Sequence, residues 1–166
     1  MASGGRNDQP AGNAPNVANL GVVRPPLVYL ASIAAGVMIH LAWPVSVVSP
    51  RLSMLLGAAT TTVAIVLFLS AVRTFRLAGT PVPGNRPTTT VVRTGPYRYS
   101  RNPIYLSFSL LQLGIAFLVN SIWLLVTLIP AVLLMSLVVI PMEEAFLGAR
   151  FPTEYLPYRG TVRRWL

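Results

Sequence analysis

Thr88 to Tyr105 reads TTTVVRTGPYRYSRNPIY. The stretch is rich in Arg and Tyr and is broken by Pro96 and Pro103. Strongly apolar sequence lies on both sides of it. A second polar cluster, Glu143-Glu144, follows the last apolar run. The reading of the chain starts from these two places, because nearly everything between and around them is hydrocarbon.

Four apolar segments flank the two polar ones: Leu27–Trp43, Leu52–Val72, Ile104–Val119 and Ile122–Ile140. A helix needs about 20 apolar residues to span a bilayer, within a range of about 17–25. The second and fourth segments fit this length, and the first and third can borrow flanking residues such as Pro26 or Asn102-Pro103. Charge is almost absent inside them. Across all 166 residues the chain is 54% hydrophobic and 10% charged, against about 25% charged in soluble domains. An all-α integral membrane protein with four transmembrane helices is the expected fold class.

The net charge is +9, and every one of the thirteen basic residues is Arg. The arginines flank apolar runs, so they suit anionic lipid headgroups. No nucleic-acid motif accompanies them, and no nucleic-acid partner is expected. The absence of Cys excludes disulfides, thiolate metal sites and a Cys nucleophile. A single His, His40, excludes a multi-His metal site.

Arginine also sets the orientation, since cytoplasmic loops are enriched in positive charge. With four spans, the N-terminal tail, the second loop and the C-terminal tail share one side. Twelve of the thirteen arginines then fall on that side, and only Arg51 on the other. Both termini, the Thr88–Tyr105 segment and Glu143-Glu144 are therefore expected at the cytoplasmic face. Residues 1–20 are polar, rich in Gly, Asn and Pro, and lack the apolar core of a signal peptide. They read as a disordered tail. Residues 21–75 form two transmembrane helices, and residues 76–166 form the functional core.

Only Asn120-Ser121 joins the third and fourth spans. So short a link forces an antiparallel hairpin. The start of the third helix and the end of the fourth then lie side by side. Asn102–Tyr105 is thereby brought near Glu143-Glu144, some forty residues away in sequence. The remaining polar residues in the spans have plainer roles. Thr60-Thr61-Thr62 suit back-bonding to their own helix, His40 suits an interface, and Gln112 must find a partner inside the bundle or line a cavity. After the last span, Phe146, Leu147, Phe151, Tyr155 and Tyr158 give an amphipathic pattern interrupted at Pro152 and Pro157. An interfacial segment anchored by Tyr, Trp and Arg is expected there. Tyr99 is expected to anchor at the interface as well. In the second helix, Gly57, Ala58 and Ala59 suit close packing, either within the monomer or in a homodimer.

The pattern GPYRYSRNPIY, then a hairpin, then EEAFL and RFPTEYLPYRGTVRR, resembles the isoprenylcysteine carboxyl methyltransferase family. That family is in turn similar to the phospholipid N-methyltransferases. The resemblance covers about residues 76–166. It implies an integral-membrane enzyme that takes S-adenosyl-L-methionine at the cytoplasmic face and a lipophilic or lipid-modified acceptor from the bilayer. It also implies a cofactor pocket of Thr89, Thr90, Val91, Val92, Tyr97, Asn102, Pro103, Ile104, Tyr105 and Glu143, with Gly95 and Arg101 in support and Glu144 as a candidate base. Two positions depart from the pattern. Asn102 stands where eukaryotic members often have His, and it cannot shuttle a proton at neutral pH. Val139 stands where prenylcysteine-specific members carry Arg, which argues against a prenylcysteine carboxylate acceptor.

The implied chemistry is sound on its own terms. A carboxylate can pair with the cofactor's ammonium. Arg and backbone N–H groups can take its carboxylate. Pro103 at the start of a helix leaves free N–H groups behind it. Methyl transfer from a sulfonium needs chiefly positioning and desolvation, so a chain without a metal site or a nucleophile–base set can perform it. Two other readings remain open from sequence: an NADPH-dependent membrane reductase of the sterol-reductase type, and a non-catalytic membrane scaffold.

Overall fold

A computed structural model describes residues 24–79 and 90–166. The expected disordered tail, Arg86 and Thr89 lie outside the described residues. Helices α1 (Pro25–Ala42), α2 (Pro50–Leu77), α3 (Pro103–Val119), α4 (Ile122–Leu134), α5 (Ile140–Arg150) and α6 (Pro152–Thr161) make up most of the chain. A 3-10 turn over Gly95–Arg98 precedes α3. A π turn over Met135–Val139 joins α4 to α5. No strand occurs among the described residues.

Proline sets most of the helix starts. α1, α2, α3, α5, α6 and the 3-10 turn all carry Pro in their first two positions. Pro has no N–H to leave unpaired there, and its φ is already helical. Pro157 sits inside α6 without ending it, so the amphipathic pattern seen in sequence falls on two helices, α5 and α6, that break only at Phe151-Pro152.

Three helices are long and apolar enough to cross a membrane: Pro25–Ala42, Pro50–Leu77 and the continuous Ile122–Arg150. α3 is apolar but has 17 residues, about 25 Å of helix against a hydrocarbon core of about 30 Å. The fourth segment runs ten residues past the expected end at Ile140, because the π turn lets the helix continue through Pro141. Glu143-Glu144 therefore lies in the first turns of α5 rather than at a helix C-terminus. The outer faces are apolar too: Leu30, Met38, Met54, Leu55, Val66, Ile129 and Leu137 are all exposed. A surface of this kind suits lipid.

α2 packs along α3, and α1 packs along α4. Small residues permit both approaches. A Cβ on Gly114 would lie 2.9 Å from the Thr61 backbone nitrogen, and one on Gly36 would lie 3.0 Å from Leu124 Cα. Gly57 meets Leu118 in the same way. It is therefore used within the monomer, while Ala58 and Ala59 stay exposed. Gln112 is fully buried. Its side-chain amide donates to Ser32 Oγ at 2.7 Å and to the Leu124 carbonyl at 3.2 Å. It therefore ties α3 to α1 and α4 rather than lining a cavity. Thr62 bonds back to the Ala58 carbonyl at 2.8 Å, as a mid-helix threonine should.

The α3–α4 link is a Schellman motif. Ser121 N–H reaches the Ala116 carbonyl at 2.8 Å, and Asn120 N–H reaches that of Phe117 at 2.9 Å. Asn120 adopts the left-handed conformation, φ 54°, which Asn tolerates better than most residues. Its side chain also holds the α1–α2 link. Oδ1 accepts from Val47 N–H at 2.9 Å and Val48 N–H at 3.2 Å, and Nδ2 donates to the Val48 carbonyl at 2.9 Å. Both links thus share one end of the bundle. The segment before α3, the end of α2 and the C-terminal helices gather at the other.

Two substitutions test this packing. Gly114→Val should separate α2 from α3 and cost ~1–3 kcal/mol. Asn120→Ala, which removes three hydrogen bonds from a left-handed turn, should cost about 2 kcal/mol. Thermal unfolding in detergent should show both as lowered midpoints, with helix content retained at low temperature.

Candidate functional site

At the end of the bundle opposite Asn120, the 90–105 segment folds over α5 and α6. Gly95, at φ 59°, opens the 3-10 turn against Thr74 of α2. That turn drives Tyr97 inward, where it packs edge-on against Phe75 at 5.0 Å between ring centres. Phe75, Val92, Tyr97 and Ala71 form a small core, with Ile104 against it. The helical hairpin then sets α3 beside α5, as the two-residue link requires.

Between these elements lies an open cleft. Thr90, Val91, Val92, Tyr97, Arg101, Asn102, Ile104, Tyr105, Glu143 and Glu144 all line it. Gly95 and Pro103 stand behind the lining, one as the pivot of the turn and the other as the buried first residue of α3. Phe75, Leu147, Tyr155 and Tyr158 line it as well. Sequence reasoning left these four out. Tyr155 and Tyr158 read as interfacial anchors, yet both are buried. Their spacing of three residues on α6 was the available signal, since it puts both rings on one helical face. Tyr99 is exposed, where an anchor would be.

The two adjacent acids have opposite surroundings. Glu144 is 6% exposed and is gripped by two arginines. Arg164 donates through Nε at 3.0 Å and Nη2 at 2.7 Å, and Arg101 through Nη1 at 3.0 Å. Both carboxylate oxygens of Glu144 are thus engaged by guanidinium donors. Glu143 has no cationic partner among the described residues. Its one hydrogen bond comes from the Tyr105 hydroxyl, at 2.5 Å. One acid is therefore held by cations, and its neighbour faces the cleft with the Tyr105 hydroxyl as its partner.

The donors are equally asymmetric. Arg101 Nη1 also donates to the Tyr155 hydroxyl at 3.3 Å, but its Nε is buried without a partner. Asn102 Nδ2 donates to the Arg164 carbonyl at 3.0 Å. No side chain caps α3, and its first intrahelical bond is Leu106 N–H to the Asn102 carbonyl. The amides of Ile104 and Tyr105 thus lack intrahelical partners. The Tyr158 hydroxyl donates to the Tyr97 carbonyl at 2.7 Å. Burial pushes the phenols of Tyr97, Tyr155 and Tyr158 above their ordinary range, so they stay neutral and offer ring faces and O–H donors. No metal-binding cluster of His and acidic residues occurs among the described residues.

The acids should differ in what they do for stability. Glu144→Gln strands Arg101, whose side chain is 11% exposed, and should cost on the order of 2 kcal/mol after allowance for the half-exposed Arg164. Glu143→Gln removes a half-buried carboxyl group that no cation among the described residues balances and should leave the thermal midpoint unchanged or raised. Parallel thermal melts of the two variants without ligand test that order.

Comparison with curated proteins gives no match, and comparison with solved structures gives none. Residues 52–154 match the family model described as phospholipid methyltransferase. The match runs from α2 through the loop, the hairpin and α5 to the start of α6, and so takes in every cleft-lining residue except Tyr155 and Tyr158. By that match, the chain belongs to the phospholipid methyltransferase family.

Proposed function

We propose that this membrane methyltransferase uses S-adenosyl-L-methionine and acts on a lipophilic acceptor drawn from the bilayer. One observation carries the reading: the cleft combines a half-buried carboxyl group without a cationic partner, a guanidinium N–H without an acceptor, both among the described residues, and aromatic walls. Those are the complements of an ammonium, a carboxylate and an adenine. When bound, the sulfonium supplies an activated methyl group: the acceptor's lone pair bonds to the methyl carbon while the C–S electron pair returns to sulfur.

The chain's own work is binding and exclusion of water. Glu143, oriented by the Tyr105 hydroxyl, takes the ammonium. Arg101 Nε, with the free amides at the start of α3, takes the carboxylate or an adenine acceptor atom. Val91, Val92 and the rings of Tyr97 and Tyr158 take the adenine. Asn102 and Pro103 set the helix start, and Thr89, Thr90 and Gly95 shape the loop above it. Glu144 serves as the anchor of Arg101 and not as a base. A carboxylate acceptor would need none, and an amine or phenol would have to lose its proton elsewhere.

Orientation belongs to the same reading. α3, extended by its flanks, crosses as a fourth span, and the cleft and both termini face the cytoplasm. The support is the charge distribution, with Arg51 the single arginine expected at the far end.

Calorimetric titration of the detergent-purified protein with S-adenosyl-L-methionine tests the proposal. Saturable binding is expected, weakened about tenfold or more in Glu143→Gln, a loss of about 1.4 kcal/mol. Tyr105→Phe should weaken it by several-fold, about 1 kcal/mol, through loss of one charge-assisted hydrogen bond. A folded parent that binds NADPH in preference would point to a reductase instead. One that binds neither would point to a scaffold.

A further inference from the structure

The last five residues are bound to the cleft from behind. Arg101 N–H donates to the Arg163 carbonyl at 3.0 Å, and Asn102 Nδ2 donates to that of Arg164 at 3.0 Å. Ser100 Oγ reaches the same Arg164 carbonyl at 3.4 Å. Trp165 packs on the core of Tyr29, Tyr105, Ala131, Met135, Val139 and Ile140. The end of the segment expected at the membrane interface is thus a strap across the base of the site.

Arg164 has one further contact, and the sequence explains it. In the π turn, Ile140 N–H bonds to the Met135 carbonyl. By the same spacing, the Ser136 carbonyl would take the N–H of residue 141. That residue is Pro141, which has no N–H. The Ser136 carbonyl is left over, and Arg164 Nη1 donates to it at 3.2 Å. One guanidinium thus closes the π turn with one nitrogen and grips Glu144 with the other two. Its hydrogen bond with Glu144 raises its affinity for the proton still further.

From this geometry we infer that Arg164 is a positioning residue of the cofactor site. It fixes Glu144, Glu144 fixes Arg101, and Arg101 is thereby held in the lining of the cleft. The inference rests on the methyltransferase reading for the ligand's identity but not for the chain of contacts. Arg164 touches no ligand itself. Its neighbour Arg163 contributes only a backbone carbonyl to these contacts and has an exposed side chain, so it serves as the internal control for tail charge.

The test uses the full chain in detergent, with S-adenosylhomocysteine as the probe and amide hydrogen exchange as a readout independent of ligand. Arg164→Ala should weaken S-adenosylhomocysteine about tenfold and speed exchange at the Arg101 amide. Arg164→Lys keeps the charge but loses the planar fork, and should recover about a third of that loss. Arg163→Ala should bind within about twofold of the parent. The double variant Arg164→Ala/Glu144→Gln should bind no worse than the weaker single variant, because both act through Arg101. Parent-like affinity in Arg164→Ala, multiplicative losses in the double variant, or equal losses in Arg163→Ala and Arg164→Ala would each overturn the inference. If Arg164→Ala does not fold, Arg164→Lys decides: full parental affinity overturns the inference, and an intermediate loss supports it. A parent that binds no S-adenosylhomocysteine overturns the methyltransferase reading alone. The exchange measurement then decides the positioning role, and an unchanged rate at Arg101 in Arg164→Ala would end it.

Discussion

A carboxylate buried in an apolar bundle is costly unless cations and hydrogen-bond donors surround it. Glu144 meets that requirement with two guanidinium groups that come from opposite sides in sequence: Arg101 before α3 and Arg164 at the end of the chain. The three charges join the pre-α3 loop, α5 and the C-terminal strap at one point. Because the loop and the strap have no ladder of their own, this ion cluster and the carbonyls around it hold them in register. The cleft exists because these parts are held apart from α2 by the packed rings of Phe75 and Tyr97.

The two ends of the bundle divide the work. Around Asn120 every connection is short and closed on itself, and one amide side chain satisfies three backbone groups of the neighbouring link. Between the ends, Gln112 and the contacts at Gly36, Gly57 and Gly114 lock the helices at close range. The opposite end carries the unpaired carboxylate and the unpartnered N–H.

Proline gives the chain much of its geometry. It starts four of the six described helices, where its missing N–H costs nothing. At Pro141 it does something else. The helix passes into a π turn and leaves a carbonyl unused, and a distant arginine takes it. π turns are frequent at functional sites. Here the turn lies one helical turn before Glu144, so the group that repairs it also orders the cleft.

Much of this was legible in the sequence. Apolar runs of spanning length gave the helices, since hydrocarbon solvation selects for length and composition alone. The two-residue link at Asn120-Ser121 dictated a hairpin, and from the hairpin followed the meeting of Tyr105 with Glu143. The tertiary structure decided what pattern does not encode: which of two adjacent acids is neutralised, that Tyr155 and Tyr158 turn inward, and that Arg164 serves the site and not the membrane surface. The reason is physical. Span length and link length are local properties of the chain, readable wherever they occur. The partner of a buried charge is fixed by which side chains arrive within about 3 Å of it, and for Glu144 those come from residues 43 positions before it and 20 after it.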